Sequence, residues 1–201
     1  MEHTPHTNLS FFPSVTVKEG KYGRTYDLFS RMLAERVVFI AGKIDDLTAA
    51  SVVPQLLFLE EDNEARPVTM YINSPGGHVT AGLAIYDTMQ FIKPDIITVC
   101  IGHAASMGAV LLAAGAEDQR YALPHSRIMI HQPIGGAWGQ ASDVRIQADE
   151  MDNTKQVINE ILAKHTGRHL GQIQEETDRD RFMSAKEAVE YGIIDKVRAT
   201  R

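Results

Sequence analysis

A single cysteine, one tryptophan and no excess of basic residues narrow what this 201-residue chain is. Cys100 alone forms no intrachain disulfide, and its place in Ile96-Ile97-Thr98-Val99-Cys100-Ile101 makes it a small buried hydrophobe in a reducing compartment. Twenty Lys and Arg against 26 Asp and Glu give a formal charge of −6, which removes general attraction to nucleic acid or anionic lipid. Met1 to Phe12 lack the basic start and sustained apolar stretch of a secretory leader, so the expected location is cytoplasmic, with no membrane partner. His3 and His6 are two polar residues on a terminus and carry no metal-site pattern. No Gly-x-x-x-x-Gly-Lys-Ser/Thr phosphate loop is present, so the chain is not expected to bind ATP itself.

What is present is a hydrophobic share of 44%, enough for the core of one ordinary domain. From Tyr26 onward, apolar runs of strand length alternate with segments of helical period, which predicts an α/β fold of repeated β/α units. Strands are predicted at Val37 to Ile40, Val68 to Ile72, Ile96 to Ile101, Tyr121 to Leu123 and Ile128 to Ile130. Helices are predicted from Asp46 onward, over Thr80 to Ile92, over the alanine-rich stretch Ala104 to Ala114, and over Gln140 to His165, where Gly167 stops the longest of them. Pro54 predicts a break or kink in the first of these helices.

A strand ending in Gly102-His103-Ala104-Ala105-Ser106-Met107-Gly108 and running into a helix sets a hydroxyl where backbone N–H groups favour developing negative charge. The small neighbours Ala104, Ala105 and Gly108 leave room for a substrate backbone, so Ser106 is a candidate nucleophile. The Gly76-Gly77 turn after Ile72-Asn73 offers a backbone N–H that, with the N–H of Met107, makes an oxyanion hole. His131, an imidazole at a strand end before a Gly-rich loop, suits a general base. A triad also needs a carboxylate to orient the imidazole. Asp180 and Asp178, in a turn-like charged segment before a helix capped by Ser184, are both candidates, and spacing does not choose between them.

These residues lie in five separated blocks: Tyr71 to Gly77, Ile85 to Gln90, Gly102 to Gly108, Met129 to Pro133 and Asp178 to Ser184. In that order, from about Tyr26 to Val197, the chain closely resembles the proteolytic subunit of the Clp protease. The resemblance implies a serine endopeptidase with Ser106 as nucleophile, His131 as base and acid, Asp180 as orienting carboxylate, and Gly77 and Met107 as oxyanion donors. It also implies a crotonase-like core over residues 26–201 with a protruding helical handle near 140–166, and an axial segment over residues 1–25 that is mobile or partly removed. Asp178, Arg179 and Gln140 become assembly residues. The implied assembly is two stacked seven-subunit rings, alone or with a paralogous ring. An AAA+ unfoldase would feed it unfolded polypeptides and hydrolyse the ATP, and no cofactor is implied for this chain.

The sequence departs from the family's pattern at His103, where glutamine is usual, at His78 after the oxyanion glycine, and at Thr69, where many relatives carry an aromatic residue in the unfoldase cleft. Tyr71 and Phe91 of that cleft are retained, whereas Tyr22-Gly23-Arg24 stands where Gly-Glu-Arg is common. Two other functions remain to be weighed. One is a regulatory subunit with an idle site; the other is an acyl-CoA hydratase or isomerase, which shares the oxyanion device but needs neither Ser106 nor His131.

Overall fold

The computed structural model describes residues 13–19 and 22–200, which divide into one compact unit up to Val37 and a second from Val38 onward. His3, His6 and much of the expected axial segment lie outside the described residues. In the first unit, β1 (Ser14–Glu19) and β2 (Tyr22–Asp27) pair antiparallel with Ser14 opposite Asp27, so Tyr22-Gly23-Arg24 forms part of a hairpin. Helix α1 (Leu28–Ala34) follows at once, because the Asp27 carboxylate accepts from Ser30 N–H at 2.9 Å and caps it.

The second unit is built on a seven-stranded, mostly parallel sheet with helices between its strands. Its elements are β3 (Val37–Ala41), α2 (Asp46–Asp62), β4 (Val68–Ser74), α3 (Val79–Phe91), β5 (Ile96–Ala105), α4 (Met107–Ala113), β6 (Arg120–Ala122) and β7 (Arg127–Ile130). Then come α5 (Ala141–Thr166), α6 (Leu170–Glu176), β8 (Arg181–Ser184), α7 (Ala185–Tyr191) and β9 (Lys196–Val197). The strand order is β3-β4-β5-β6-β9, with β7 paired to both β5 and β8. Val38, Ile40, Met70, Ile72 and Cys100 are at most 1% exposed, which puts the core on the alternating inward positions of β3 to β5. Every residue of α4 is buried, so this short apolar helix is enclosed on all sides and fixes the turn that precedes it. No helix of the described residues is long and apolar enough to cross a membrane.

Three local expectations are corrected. The alanine-rich helix begins at Met107 rather than Ala104, because Ala104 and Ala105 pair with Ile128 and Met129 and are drawn into β5. Strand pairing outweighs the helix propensity of two alanines, which is a few tenths of a kcal/mol per residue, about 0.5 at most. The break expected beside Pro54 is absent: α2 runs through it, held by the buried Val52, Leu56 and Leu59 on either side. The charged stretch at 178–183, read as a turn, contains β8, whose Met183 is buried opposite Ile128.

Helix α5 divides into two halves. Ala141 to Val157 includes no buried residue, a stretch of about 25 Å at 1.5 Å per residue, whereas Ile158, Asn159, Ile161 and Leu162 are buried. Ile146 is 66% exposed on the first half.

Candidate active site

Ser106 is the hinge between β5 and α4. Its φ of 54° and ψ of −125° lie outside the regions that L-residues favour, so the strand turns sharply into the helix at one residue. That strain is sustained because Ser106 N–H donates to Met129 O at 2.8 Å on one side while the buried α4 anchors the other. The hydroxyl makes no capping bond to α4 and is left available.

Gly76 lies directly against this turn. A Cβ there would stand 2.6 Å from Ser106 Cβ and 3.1 Å from Met107 N, so only glycine, at φ 88°, leaves the space in front of the hydroxyl open. Ser74 Oγ holds the loop by donating to Gly42 O at 2.6 Å and accepting from Gly76 N–H at 3.0 Å. Gly77 abuts Ile44, whose carbonyl oxygen would be 2.0 Å from a Cβ. The bridge between them uses Ile44 N–H to Gly76 O at 2.9 Å and His78 N–H to Ile44 O at 2.8 Å. Because successive peptide groups of an extended chain alternate, Gly77's own N–H points away from Ile44. Met107 opens α4, and its N–H is among those with no acceptor inside the helix.

His131 and Asp180 meet through strand register. In the antiparallel β7–β8 pair, Met129 faces Phe182 and Ile130 faces Arg181, so the next pair outward is His131 and Asp180. His131 Nδ1 lies 2.9 Å from Asp180 Oδ1. Asp178, the other candidate, is two residues out of register; its Oδ1 accepts from Gln132 Nε2 at 3.2 Å and its Oδ2 lies 3.5 Å from Arg179 Nε. The His131 side chain is 13% exposed and that of Asp180 is 57% exposed.

Ser106 and His131 border one cleft, whose apolar wall includes Val79, Val110, Ile158 and Leu162. No hydrogen bond joins them directly among the described residues. The structure therefore gathers Ser106, Met107, Gly76, Gly77, His131 and Asp180 at the C-terminal ends of parallel strands, where open α/β sheets bind ligands. Arg179 is 91% exposed, and Gln140 is the exposed N-cap position of α5 with no side-chain capping bond. His103 and His78 are both exposed; His103 N–H donates to Asn73 Oδ1 at 3.3 Å, and His78 precedes α3. Tyr71 stacks on Phe39 at 5.5 Å, and Phe91 is 79% exposed.

Sequence reading missed the polar residues around the strand ends, Gln132, Lys155, Asn159 and Thr177, because nothing in their spacing links 132 to 155 or 159 to 177. It also missed Ile158 and Leu162 as cleft residues. Their i, i+4 spacing marked a buried helix face without saying what that face borders. A comparison with protein-family models matches residues 18–201 to the family described as Clp protease.

Proposed function

The chain belongs to the Clp protease family, a family of serine peptidases that act in proteolysis and generally form oligomeric assemblies, and on that premise we propose that Ser106, His131 and Asp180 are its catalytic triad. The observation that carries this reading is the 2.9 Å contact of His131 Nδ1 with Asp180 Oδ1, made by a histidine that shares its cleft with Ser106. With Nδ1–H given to Asp180, the lone pair of Nε2 is free to take the Ser106 proton as Oγ attacks a peptide carbonyl. The oxyanion is held by the N–H groups of Gly77 and Met107. The imidazolium then returns its proton to the leaving amine, and water, deprotonated by the same nitrogen, releases the acyl group from Ser106. The apolar wall of Val79, Val110, Ile158 and Leu162 suits an apolar side chain beside the scissile bond.

At the level of the assembly, the reading is a compartmental endopeptidase of two stacked seven-subunit rings. It takes unfolded polypeptides from an AAA+ unfoldase in a cytoplasmic setting, with ATP used by that partner and no cofactor of its own. The exposed first half of α5, which Gln140 opens, and the exposed Asp178 and Arg179 support a role in ring contact, and residues 1–25 would form the axial segment. Peptidase assays and fluorophosphonate labelling of Ser106→Ala test the site. Loss of both with assembly mass unchanged is the expected result, and retained hydrolysis refutes it.

A further inference from the structure

Helix α5 reaches the two strand ends that carry His131 and Asp180 through side chains one turn apart. Lys155 Nζ donates to Gln132 Oε1 at 2.8 Å, while Gln132 Nε2 donates to the Asp178 carbonyl at 2.7 Å and to Asp178 Oδ1 at 3.2 Å. Beside it, Gln132 N–H donates to Thr177 O at 2.6 Å, and Thr177 Oγ1 donates to Oδ1 of the buried Asn159 at 3.0 Å. The His131–Asp180 pair is thus bracketed, by the Ile130–Arg181 end of the ladder on one side and by the Gln132 clamp on the other.

The bracket matters because Asp180 has no polar shell of its own. Its side chain is 57% exposed and His131 is its one side-chain partner among the described residues, so its place is set by its backbone. Arg181 in the ladder fixes that backbone on one flank and Asp178 in the clamp fixes it on the other. Lys155 and the two acceptors of Asp178 together fix the direction of the clamp. An ammonium donates only, so the Gln132 amide must turn Oε1 toward Lys155, and that leaves Nε2 facing the Asp178 carbonyl. Lys155 makes no ion pair among the described residues, although α5 carries several carboxylates. A strongly hydrated ammonium gives up water for a neutral amide only where the fold holds the two together.

We propose that Lys155 is a positioning residue of the peptidase reaction: by anchoring the Gln132 amide at Oε1 it holds the 178–180 segment where Asp180 meets His131. The inference rests on the triad assignment above. Replacing Lys155 leaves Gln132 Oε1 without its donor and the amide held only from its Asp178 end, which loosens that flank of Asp180.

The test uses the full chain in its purified assembly, with a short fluorogenic peptide and fluorophosphonate labelling rates as readouts. Lys155→Met is expected to lower kcat about tenfold with KM within about twofold, and Lys155→Arg, also donor-only, to recover all but about threefold. Gln132→Glu, which removes the donor to Asp178, falls similarly to Lys155→Met. On an Asp180→Asn background, Lys155→Met adds less than about twofold in labelling rate, because the group it positions is already gone. Wild-type kcat in Lys155→Met, an undiminished factor on the Asp180→Asn background, no recovery with arginine, or a loss that appears only where assembly mass has dropped would each overturn the role. If Ser106→Ala and Asp180→Asn retain full rates, the triad assignment itself falls and the positioning role with it. If those two lose activity and Lys155→Met does not, only the positioning role falls.

Discussion

His131 Nδ1 and Asp180 Oδ1 stand 2.9 Å apart because they are the first pair beyond the β7–β8 ladder, one step past Ile130 and Arg181. A contact set by register does not depend on the conformation of the longer loop that follows, residues 133–139 before α5.

Asp180→Asn keeps the shape of the contact and removes its charge, so the imidazole loses the partner that fixes its tautomer and stabilises the imidazolium. A drop in kcat of about 10² to 10⁴ is expected, with KM little changed. Steady-state kinetics on a short peptide measure it, and Asp178→Asn, outside the register, leaves kcat far closer to wild type.

Gly76→Ala places a methyl group 2.6 Å from Ser106 Cβ and 3.1 Å from Met107 N, at a backbone φ of 88°. Hydrolysis and fluorophosphonate labelling both fall by at least about 10², the scale of losing one oxyanion donor. Ser106→Ala/Gly76→Ala should be less strained than Gly76→Ala only where the hydroxyl is the clash. Since the contact is to Cβ, the thermal midpoints of the two should agree.

His165 gives a pH dependence to stability. Burial first, then the charges of Lys164 and Arg120, hold its imidazole down at about 4, and Tyr86 OH lies 3.0 Å from Nε2. The unfolded chain takes up this proton near pH 6.5 and the folded chain does not until about 4, so stability drops as pH falls through that window and levels off below it. Thermal midpoints recorded from pH 7 to 4 on wild type and His165→Gln check this: the variant lacks that part of the slope.

Asp195→Asn breaks a buried ion pair. Burial raises the Asp195 carboxyl, but hydrogen bonds from the Arg120 side chain and backbone outweigh it and leave it below the usual carboxylate range. Arg120 Nε and N–H both reach Asp195 Oδ2, at 3.0 and 2.8 Å, while Arg120 NH1 ties in His165 O at 2.7 Å. Leaving the guanidinium buried without its partner costs about 3 kcal/mol, read from denaturant midpoints. Because the folded carboxyl is depressed, the pair's contribution is present above the unfolded aspartate value and is lost as pH falls through the folded one.

The periodic part of the fold was legible in the sequence. The apolar runs of β3, β4 and β5 and the faces of α3 and α5 follow local pattern, and so does the Ser184 cap with Glu187 that starts α7. The elements that escaped are those whose existence depends on a distant partner. Arg181-Phe182-Met183-Ser184 has no strand signature until β7 lies beside it, and Ala104-Ala105 looks helical until Ile128 and Met129 pair with it. The same division runs through the site. Ser106, His131 and the glycines stand in recognisable blocks, whereas spacing alone does not show that Asp180 rather than Asp178 meets His131, because that contact depends on a register that no single segment contains.

The four residues of β7 have a double allegiance: one edge pairs with β5 just before Ser106, and the other pairs with β8 just after Asp180. Ser106, His131 and Asp180 are therefore referenced to a single ruler whose markings are peptide groups. An insertion or deletion of one residue within it would turn His131 to the opposite face and shift both neighbours' alignment at once. A change in chain length is therefore expected to be tolerated in the connecting loops and not within β7, where the buried Ile128 and Ile130 accept only side chains of similar volume.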